Sequence, residues 1–356
     1  MLGIRQSTAA YEDWLRRQLG REVVTGDLEA KHAKMAESPF AFLRATYWRW
    51  AETVREAAPE LLDAPDVLAV GDIHLENFGT WRDADGRLVW GVNDYDEAAR
   101  MPYVLDLVRL ATSAIVATDP PAASPARICT AILAGYRQGL EAPSPVVLDR
   151  DYAWLRDLVE VSDKQRAKFW KKIDELKSET APGGYRTTLS AAMPAPRLTL
   201  RTARRSAGAG SLGRPRWIGI AEWRGAHVVR EAKALLPSAW TLAAPGAPTT
   251  NVLVAEIAEG RHRAADPWFK VTGRIAVRRL SPNNRKIEAD KHAAALLSRD
   301  MLQTMGRELA SVHLGTANRG PAIARDLAHR KPGWLRAAAT RMATALTADH
   351  TTWKSP

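Results

Sequence analysis

Residues Val70 to Glu97 read VGDIHLENFGTWRDADGRLVWGVNDYDE and set Asp72, His74, Asn77, Asp94 and Asp96 within one short unit. Apolar residues Val67, Leu68 and Val70 lead into the first cluster, and Leu88, Val89, Trp90 and Val92 lead into the second. The pattern predicts a strand, a loop, a hairpin turn at Asp83 to Gly86 and a second strand, with the two acidic groups close together at strand ends. A strand has no use for a run such as Asn93-Asp94-Tyr95-Asp96-Glu97, because neighbouring carboxylates repel and resist burial unless a cation or basic partner compensates them. Something positive belongs there.

Outward from this unit, the first 60 residues look helical. Phe40, Phe42, Leu43, Tyr47 and Trp50 are spaced for one buried stripe, and Ser38-Pro39 marks a helix start. Downstream, Tyr103 to Ala117 has helical periodicity, Pro120 to Pro125 breaks it, and Ala126 to Leu140 resumes it. Two more helices are predicted near Asp149 to Val161 and Ser162 to Glu179, and Pro182-Gly183-Gly184 with the Ala/Pro-rich stretch to Pro196 reads as a lobe boundary. From Arg197 the texture turns to short β-leaning segments separated by glycine, which predicts a small antiparallel sheet. A helix from Thr250 to Ala264, strands around Phe269 to Leu280, and helices from Ala289 to Leu314 and Ala322 to Leu346 complete the chain.

Composition sets outer limits. With 356 residues, 46% hydrophobic and 26% charged, the chain reads as globular, and no apolar run approaches the roughly 18 residues that cross a membrane. The start, MLGIRQSTAAYEDW, lacks the apolar core of a signal peptide, so a cytoplasmic location is expected. Cys129 has no second cysteine to pair with and lies in an apolar helical segment, where a buried structural thiol is the simplest reading. The net charge of +11 suits an anionic partner, but the excess is spread along the chain as short runs such as Arg204-Arg205 and Arg278-Arg279. That spread, and tryptophans placed mostly within predicted elements, argue against nucleic acid.

Gly208, Gly210 and Gly213 form a GxGxxG in AGAGSLG, with Ser211 between the last two. Such glycines let backbone N–H groups approach phosphate oxygens. A dinucleotide-binding turn would need a helix straight after them, whereas Arg216 to Trp223 reads as strand. A β-hairpin lid followed by a lysine-bearing strand fits better, and Lys233 occupies that place. A carboxylate on the next helical stretch, Glu256 or Glu259, would then hold the lysine.

These parts carry a resemblance. In protein kinases and aminoglycoside phosphotransferases a catalytic-loop aspartate is followed five positions later by a metal-binding asparagine, and a second metal-binding aspartate comes after an intervening hairpin; Asp72, Asn77 and Asp94 match. GDIHLEN looks like the GDxHxxN loop of the phosphotransferases, without the arginine that precedes the aspartate in protein kinases, and Asp106 looks like their structural helix-opening aspartate. With SPFAF near residue 40, the chain closely resembles the bacterial family called domain of unknown function 2252. Because the catalytic loop precedes the glycine loop and lysine, the resemblance implies a circularly permuted, two-lobed, protein-kinase-like α+β fold with a small antiparallel β lobe and a larger, mainly helical lobe. Its parts would be an N-terminal helical segment (1–60), a catalytic-loop and metal-binding part (61–195), the β lobe (196–285) and C-terminal helices completing the helical lobe (286–356).

What the resemblance implies for function is ATP-dependent phosphoryl transfer to a hydroxyl of an acceptor, expected to be a small molecule. Asp72 would orient or deprotonate that hydroxyl, Asn77 and Asp94 would hold Mg²⁺ with Asp96 as a competitor, and Lys233 with Glu256 and the Gly208, Gly210, Ser211 and Gly213 loop would hold the phosphates. His74 is expected to fix the loop. The alternatives are a nucleotide-binding pseudokinase with a regulatory role and a metallophosphoesterase; the latter needs histidine clusters that the other seven histidines do not form.

Overall fold

The computed structural model describes residues 2–243 and 250–355. Its architecture is α+β, about 51% helix and 14% strand. Helices Ile4–Leu19, Thr25–Glu37, Pro39–Ala45 and Tyr47–Ala57 open the chain. Ser38 is extended, its side chain accepts the Ala41 N–H at 3.1 Å, and Pro39 fills the first helical position, where its missing N–H costs nothing. All five residues of the predicted stripe are buried.

Two antiparallel ladders then assemble the acidic unit. Strand β1 (Asp66–Ala69) pairs with β4 (Ala99–Pro102), and β2 (Phe78–Arg82) pairs with β3 (Leu88–Val92), with the two-residue β5 (Val146–Val147) added to β3. The predicted turn closes the hairpin: Gly86 has φ +78°, and Asp83 Oδ1 accepts the N–H groups of Asp85 and Arg87. Register does the rest. Phe78 lies opposite Val92, and the Asn93 N–H reaches the Asn77 carbonyl at 3.2 Å, so Asn77 and Asp94 become neighbours.

The second sheet has the order β6-β7-β8-β10-β9, from β6 (Arg201–Arg204), β7 (Arg216–Trp223), β8 (Ala226–Ala234), β9 (Lys270–Thr272) and β10 (Ile275–Leu280), every pair antiparallel. Between β7 and β8 both turn residues, Arg224 and Gly225, have positive φ, which matches the twist of the strands they join.

Several predicted elements shift. Residues 183–191, expected at a lobe boundary, form a helix that packs Tyr185 and Leu189 onto Trp217, Ala232 and Val277 of the sheet; tertiary burial overrides the poor helix propensity of Gly183 and Gly184. The helix expected over 250–264 covers only Val254–Ala258, because the chain beyond turns away to bond the Arg261 N–H to Gly315 O and to present Ala264 O to the Trp81 indole. The helix predicted over 289–314 divides at Ser298, which caps Arg299–His313 through the Met301 N–H. The one predicted over 322–346 becomes Gly320–His329 and Trp334–Lys354, since Pro332 denies the preceding turn its hydrogen bond and Gly333 takes φ +76°. Among the described residues, no helix is long and apolar enough to cross a membrane.

A large core joins the N-terminal helices, β1 to β3, and helices Val104–Ile115, Pro125–Glu141, Arg299–His313 and Trp334–Lys354, and Cys129 is buried in it. Smaller apolar clusters line the two faces of the five-stranded sheet. Helices Pro125–Glu141 and Arg299–His313 touch backbone to backbone: a Cβ on Gly135 would lie 1.8 Å from Gln303 O, and one on Gly306 would lie 2.2 Å from Ile132 O. Gly135→Ala should therefore destabilise the chain by about 1–3 kcal/mol in urea unfolding, because the helices must separate to admit one methyl group. A midpoint equal to native would show that this contact is looser than described.

Candidate active site

The first acidic group is placed from below. Gly71 follows β1 with φ +79° and has no room for a side chain, since a Cβ there would stand 2.3 Å from Glu97 O. Asp106, on helix Val104–Ile115, accepts the N–H groups of Val70 (2.7 Å) and Gly71 (3.0 Å). The same carboxylate meets His313 Nε2 at 3.0 Å, and His313 Nδ1 meets the Tyr136 hydroxyl at 2.8 Å, all three side chains being fully buried. A rigid buried relay thus fixes the backbone from which Asp72 projects.

Asp72 Oδ1 is held by the Arg109 guanidinium, which is wholly buried, stacks near the rings of Tyr47 (4.9 Å) and Trp50 (5.3 Å), and also donates to Leu43 O. Burial pushes the Asp72 carboxyl up to about 6, with Arg109 opposing the rise. Asp72 Oδ2 faces the glycine loop, where a Cβ on Gly210 would come within 3.0 Å of it. His74 accepts the Glu76 N–H at 3.2 Å and is buried, and burial with nearby Arg44 holds its pKa well below the usual value. The loop-fixing role is what the sequence led one to expect.

Asn77 Nδ2 donates to Asp72 O and Asp94 O, both at 3.0 Å, and ties the two acidic segments together. Lys233 on β8 reaches across from the five-stranded sheet to Asp94 Oδ1 (3.1 Å) and Asp96 Oδ1 (2.6 Å). Burial opposes the charge on Asp94, but Lys233, then Lys286 and Arg278, hold its carboxyl well below the usual range; burial and the Asp94 charge raise Asp96. The predicted lysine and the predicted acidic cluster therefore meet, although 139 residues separate Lys233 from Asp94.

The glycines occupy the connection between antiparallel β6 and β7, as a hairpin lid requires, with Gly208 at φ +77° and Gly213 at φ +93°. Their support was not foreseen. Lys31 Nζ donates to Gly210 O (3.1 Å), the Val24 N–H donates to Gly213 O (3.1 Å), and Ser206 Oγ donates to Asp27 (2.6 Å), so the N-terminal helices hold the loop against Asp72. Lys31 sits over the rings of Tyr11 and Trp48, and burial lowers its pKa to about 7. Ser211 accepts from Arg216 at 2.7 Å.

One expectation fails. Glu256 does not meet Lys233; it is partly exposed and pairs with Arg100 at 2.6 Å, and Glu259 does not pair with Lys233 either. The helix that carries them is only Val254–Ala258, and Asp94 with Asp96 already neutralises the lysine. The carboxylate that organises this part of the sheet is Glu231, two residues before Lys233, fully buried against Arg205, Arg216 (2.6 Å) and Arg278 (2.7 Å), which keep it ionised far below the usual range despite its burial.

Of the residues missed, Arg109 left a signal: it lies three positions after Asp106 in the apolar helix VLDLVRLATSAI, and a charge buried there needs a partner. Glu97 left a weaker one as the last of the acidic run; it pairs with Arg214 at 2.5 Å and accepts the Ala239 N–H at 2.7 Å.

Beside these groups a crevice of about 540 Å³ lies between β10 with the segment after it and the β2–β3 hairpin, lined by aromatics (Trp81, Tyr95, Phe169, Phe269) and cations (Arg205, Arg263, Arg278, Lys286). A cavity of about 60 Å³ surrounds Asp72, Asn77, Asp94 and Asp96 under Gly208 to Ser211. Asn77 Oδ1 is buried without a hydrogen-bond partner among the described residues, as an oxygen awaiting a cation would be, whereas Asp96 Oδ2, also without a hydrogen bond, lies 3.8 Å from the Arg214 guanidinium. No group of three or more His, Cys, Asp or Glu side chains is arranged for a metal among the described residues. Two carboxylates and an amide oxygen do suit Mg²⁺, which takes one or two protein carboxylates and completes its shell with water and phosphate.

The fold and site define an α+β chain whose acidic cluster and glycine-bearing loop close on one pocket. Residues 24–179, which include GDIHLENFG and NDYDE, match the profile of a family described as "Uncharacterized protein conserved in bacteria (DUF2252)", and this supports the resemblance to that family. Neither the curated proteins nor the solved structures gave a match.

Proposed function

We propose that this chain is a Mg-ATP-dependent phosphotransferase with a circularly permuted, protein-kinase-like arrangement, acting on a hydroxyl of a small-molecule acceptor. The observation that carries the reading is the meeting of Lys233 with Asp94 beside Asp72 and Asn77, next to a crevice of nucleotide size that is lined by Asn93 and Tyr95 on either side of Asp94 in the chain. The 540 Å³ crevice would take the nucleotide, with its aromatic side chains against the base and its cations toward the phosphates. Lys233 and the N–H groups of the glycine loop would neutralise the phosphate oxygens. Asp94 and Asn77 would hold Mg²⁺, with Asp96 close enough to share it; when bound, the ion supplies charge neutralisation on the β and γ phosphates.

In the reaction the acceptor oxygen bonds to the γ-phosphorus as the bond to the β–γ bridging oxygen breaks, ADP leaves, and Asp72 Oδ2 takes the hydroxyl proton. Arg109 holds Oδ1 and so aims Oδ2 at the acceptor. Such transfer has a loose transition state, and positioning with electrostatic stabilisation supplies most of the rate.

The test is nucleotide binding by calorimetry with Mg²⁺ and with chelator, for the native chain and for Asp94→Ala. Native chain is expected to bind ATP at least about tenfold more tightly with Mg²⁺, as a shared metal bridge requires, and Asp94→Ala to lose that difference. A variant that keeps the native Mg²⁺ dependence would remove Asp94 from the metal site.

A further inference from the structure

Around the acidic cluster nearly every cation is matched. Lys233 is held by Asp94 and Asp96, Arg214 by Glu97, Arg44 by Glu76, and Arg205, Arg216 and Arg278 by Glu231. Lys286 is different. It makes no hydrogen bond or ion pair with any described residue, although it lines both the 540 Å³ crevice and the 60 Å³ cavity around Asp72. It stands in the segment that follows β10 and borders both cavities.

Like charges crowd this exposed cation. Crowding by protein lowers the Lys286 pKa to about 8; Asp94 opposes the shift, and Arg278, Arg44 and Lys233 add to it. A lysine set among like charges at the joint of two cavities is explained if an anion completes its surroundings. Under the reading above, one anionic group occupies that joint in the course of the reaction.

We propose that Lys286 is a further catalytic residue, which binds the phosphoryl group in transit between the nucleotide crevice and the acceptor at Asp72. The assignment rests on the phosphotransferase reading and adds a contact that distinguishes the γ-phosphoryl group from the rest of the nucleotide. Lys286 remains protonated throughout: it donates hydrogen bonds to the equatorial oxygens, the acceptor proton goes to Asp72, and the bridging-oxygen electron pair leaves with ADP. The side chain is exposed and makes no hydrogen bond or ion pair with a described residue, so its replacement is expected to leave the scaffold intact.

The experiment compares Mg-ATP and Mg-ADP affinities by calorimetry for the full native chain, Lys286→Met and Lys286→Arg, with thermal unfolding as the check on folding. Native chain should prefer ATP over ADP. Lys286→Met should lower ATP affinity about tenfold and leave ADP affinity unchanged, the loss of one charge-assisted contact, and Lys286→Arg should recover part of it. Equal loss for both nucleotides, no loss for either, or a native chain without preference for ATP overturns the role of Lys286 and leaves the nucleotide site standing. Native chain that binds neither nucleotide overturns the phosphotransferase reading itself, and Lys286 with it.

Discussion

Asp72→Asn is expected to lower phosphoryl transfer by about 10²- to 10⁴-fold, the range that a positioned proton acceptor supplies, while Mg-ATP affinity stays near native. The geometry separates the two effects. Asp72 Oδ1 is committed to Arg109, and an asparagine carbonyl can accept the same hydrogen bond, so the loop and its neighbours keep their places. The change falls on the other atom, where an amide N–H₂ replaces Oδ2 and can no longer take a proton. Asn77, Asp94 and Lys233 do not use the Asp72 side chain; Asn77 bonds its backbone carbonyl. Turnover of labelled ATP, with water or with an acceptor found by screening, reads the first effect, and calorimetry reads the second. A variant that retains a tenth or more of native turnover would take the proton-accepting role away from Asp72, and one that loses ATP affinity as steeply as turnover would make Asp72 a binding group.

Asp106→Ala is the substitution with the largest expected cost to stability, about 2–5 kcal/mol, because two buried backbone donors lose their acceptor at roughly 1–3 kcal/mol each. Its carboxylate satisfies the N–H groups of Val70 and Gly71 and meets His313, and none of these has water to turn to, since Asp106, His313 and Tyr136 are fully buried. Removal leaves two backbone donors without an acceptor and His313 with only its Tyr136 contact. Asp106→Asn should also be costly, because its amide N–H₂ must face a backbone N–H. Urea unfolding followed by tryptophan fluorescence measures both; a cost for Asp106→Ala below about 1 kcal/mol, that of an ordinary neutral hydrogen bond, would show that the relay does not anchor the loop.

The acidic unit was legible in the sequence because both of its signals are local. Alternation and an Asp-Gly turn specify the hairpin, and a two-strand register then forces Asn77 beside Asp94 without any knowledge of the rest of the chain. Lys233 was legible for a similar reason, being placed by its strand and by the glycines before it, and the structure brings it to Asp94. The family resemblance carried over in the same way, through contiguous motifs. Partners that come from far along the chain were not legible by spacing. Arg109 reaches Asp72 from a helix that reads as plain core, and Lys31 reaches Gly210 over 179 residues. The choice of Glu256 failed because helix periodicity promised a longer helix than packing allowed. The stretch at 183–191 was misread because glycine and proline weigh on local propensity, whereas Tyr185 and Leu189 are secured by the sheet they cover.

The bonds that tie the glycine loop to Lys31, Val24 and Asp27 give that loop two owners: it is covalently part of the five-stranded sheet and is moored to the opening helices. A rocking of the sheet against the helical body would have to part those three bonds, and it would draw Gly210 away from Asp72. Under the phosphotransferase reading, hinge bending and admission of the acceptor would then become one event with one barrier, set by residues away from the reacting groups.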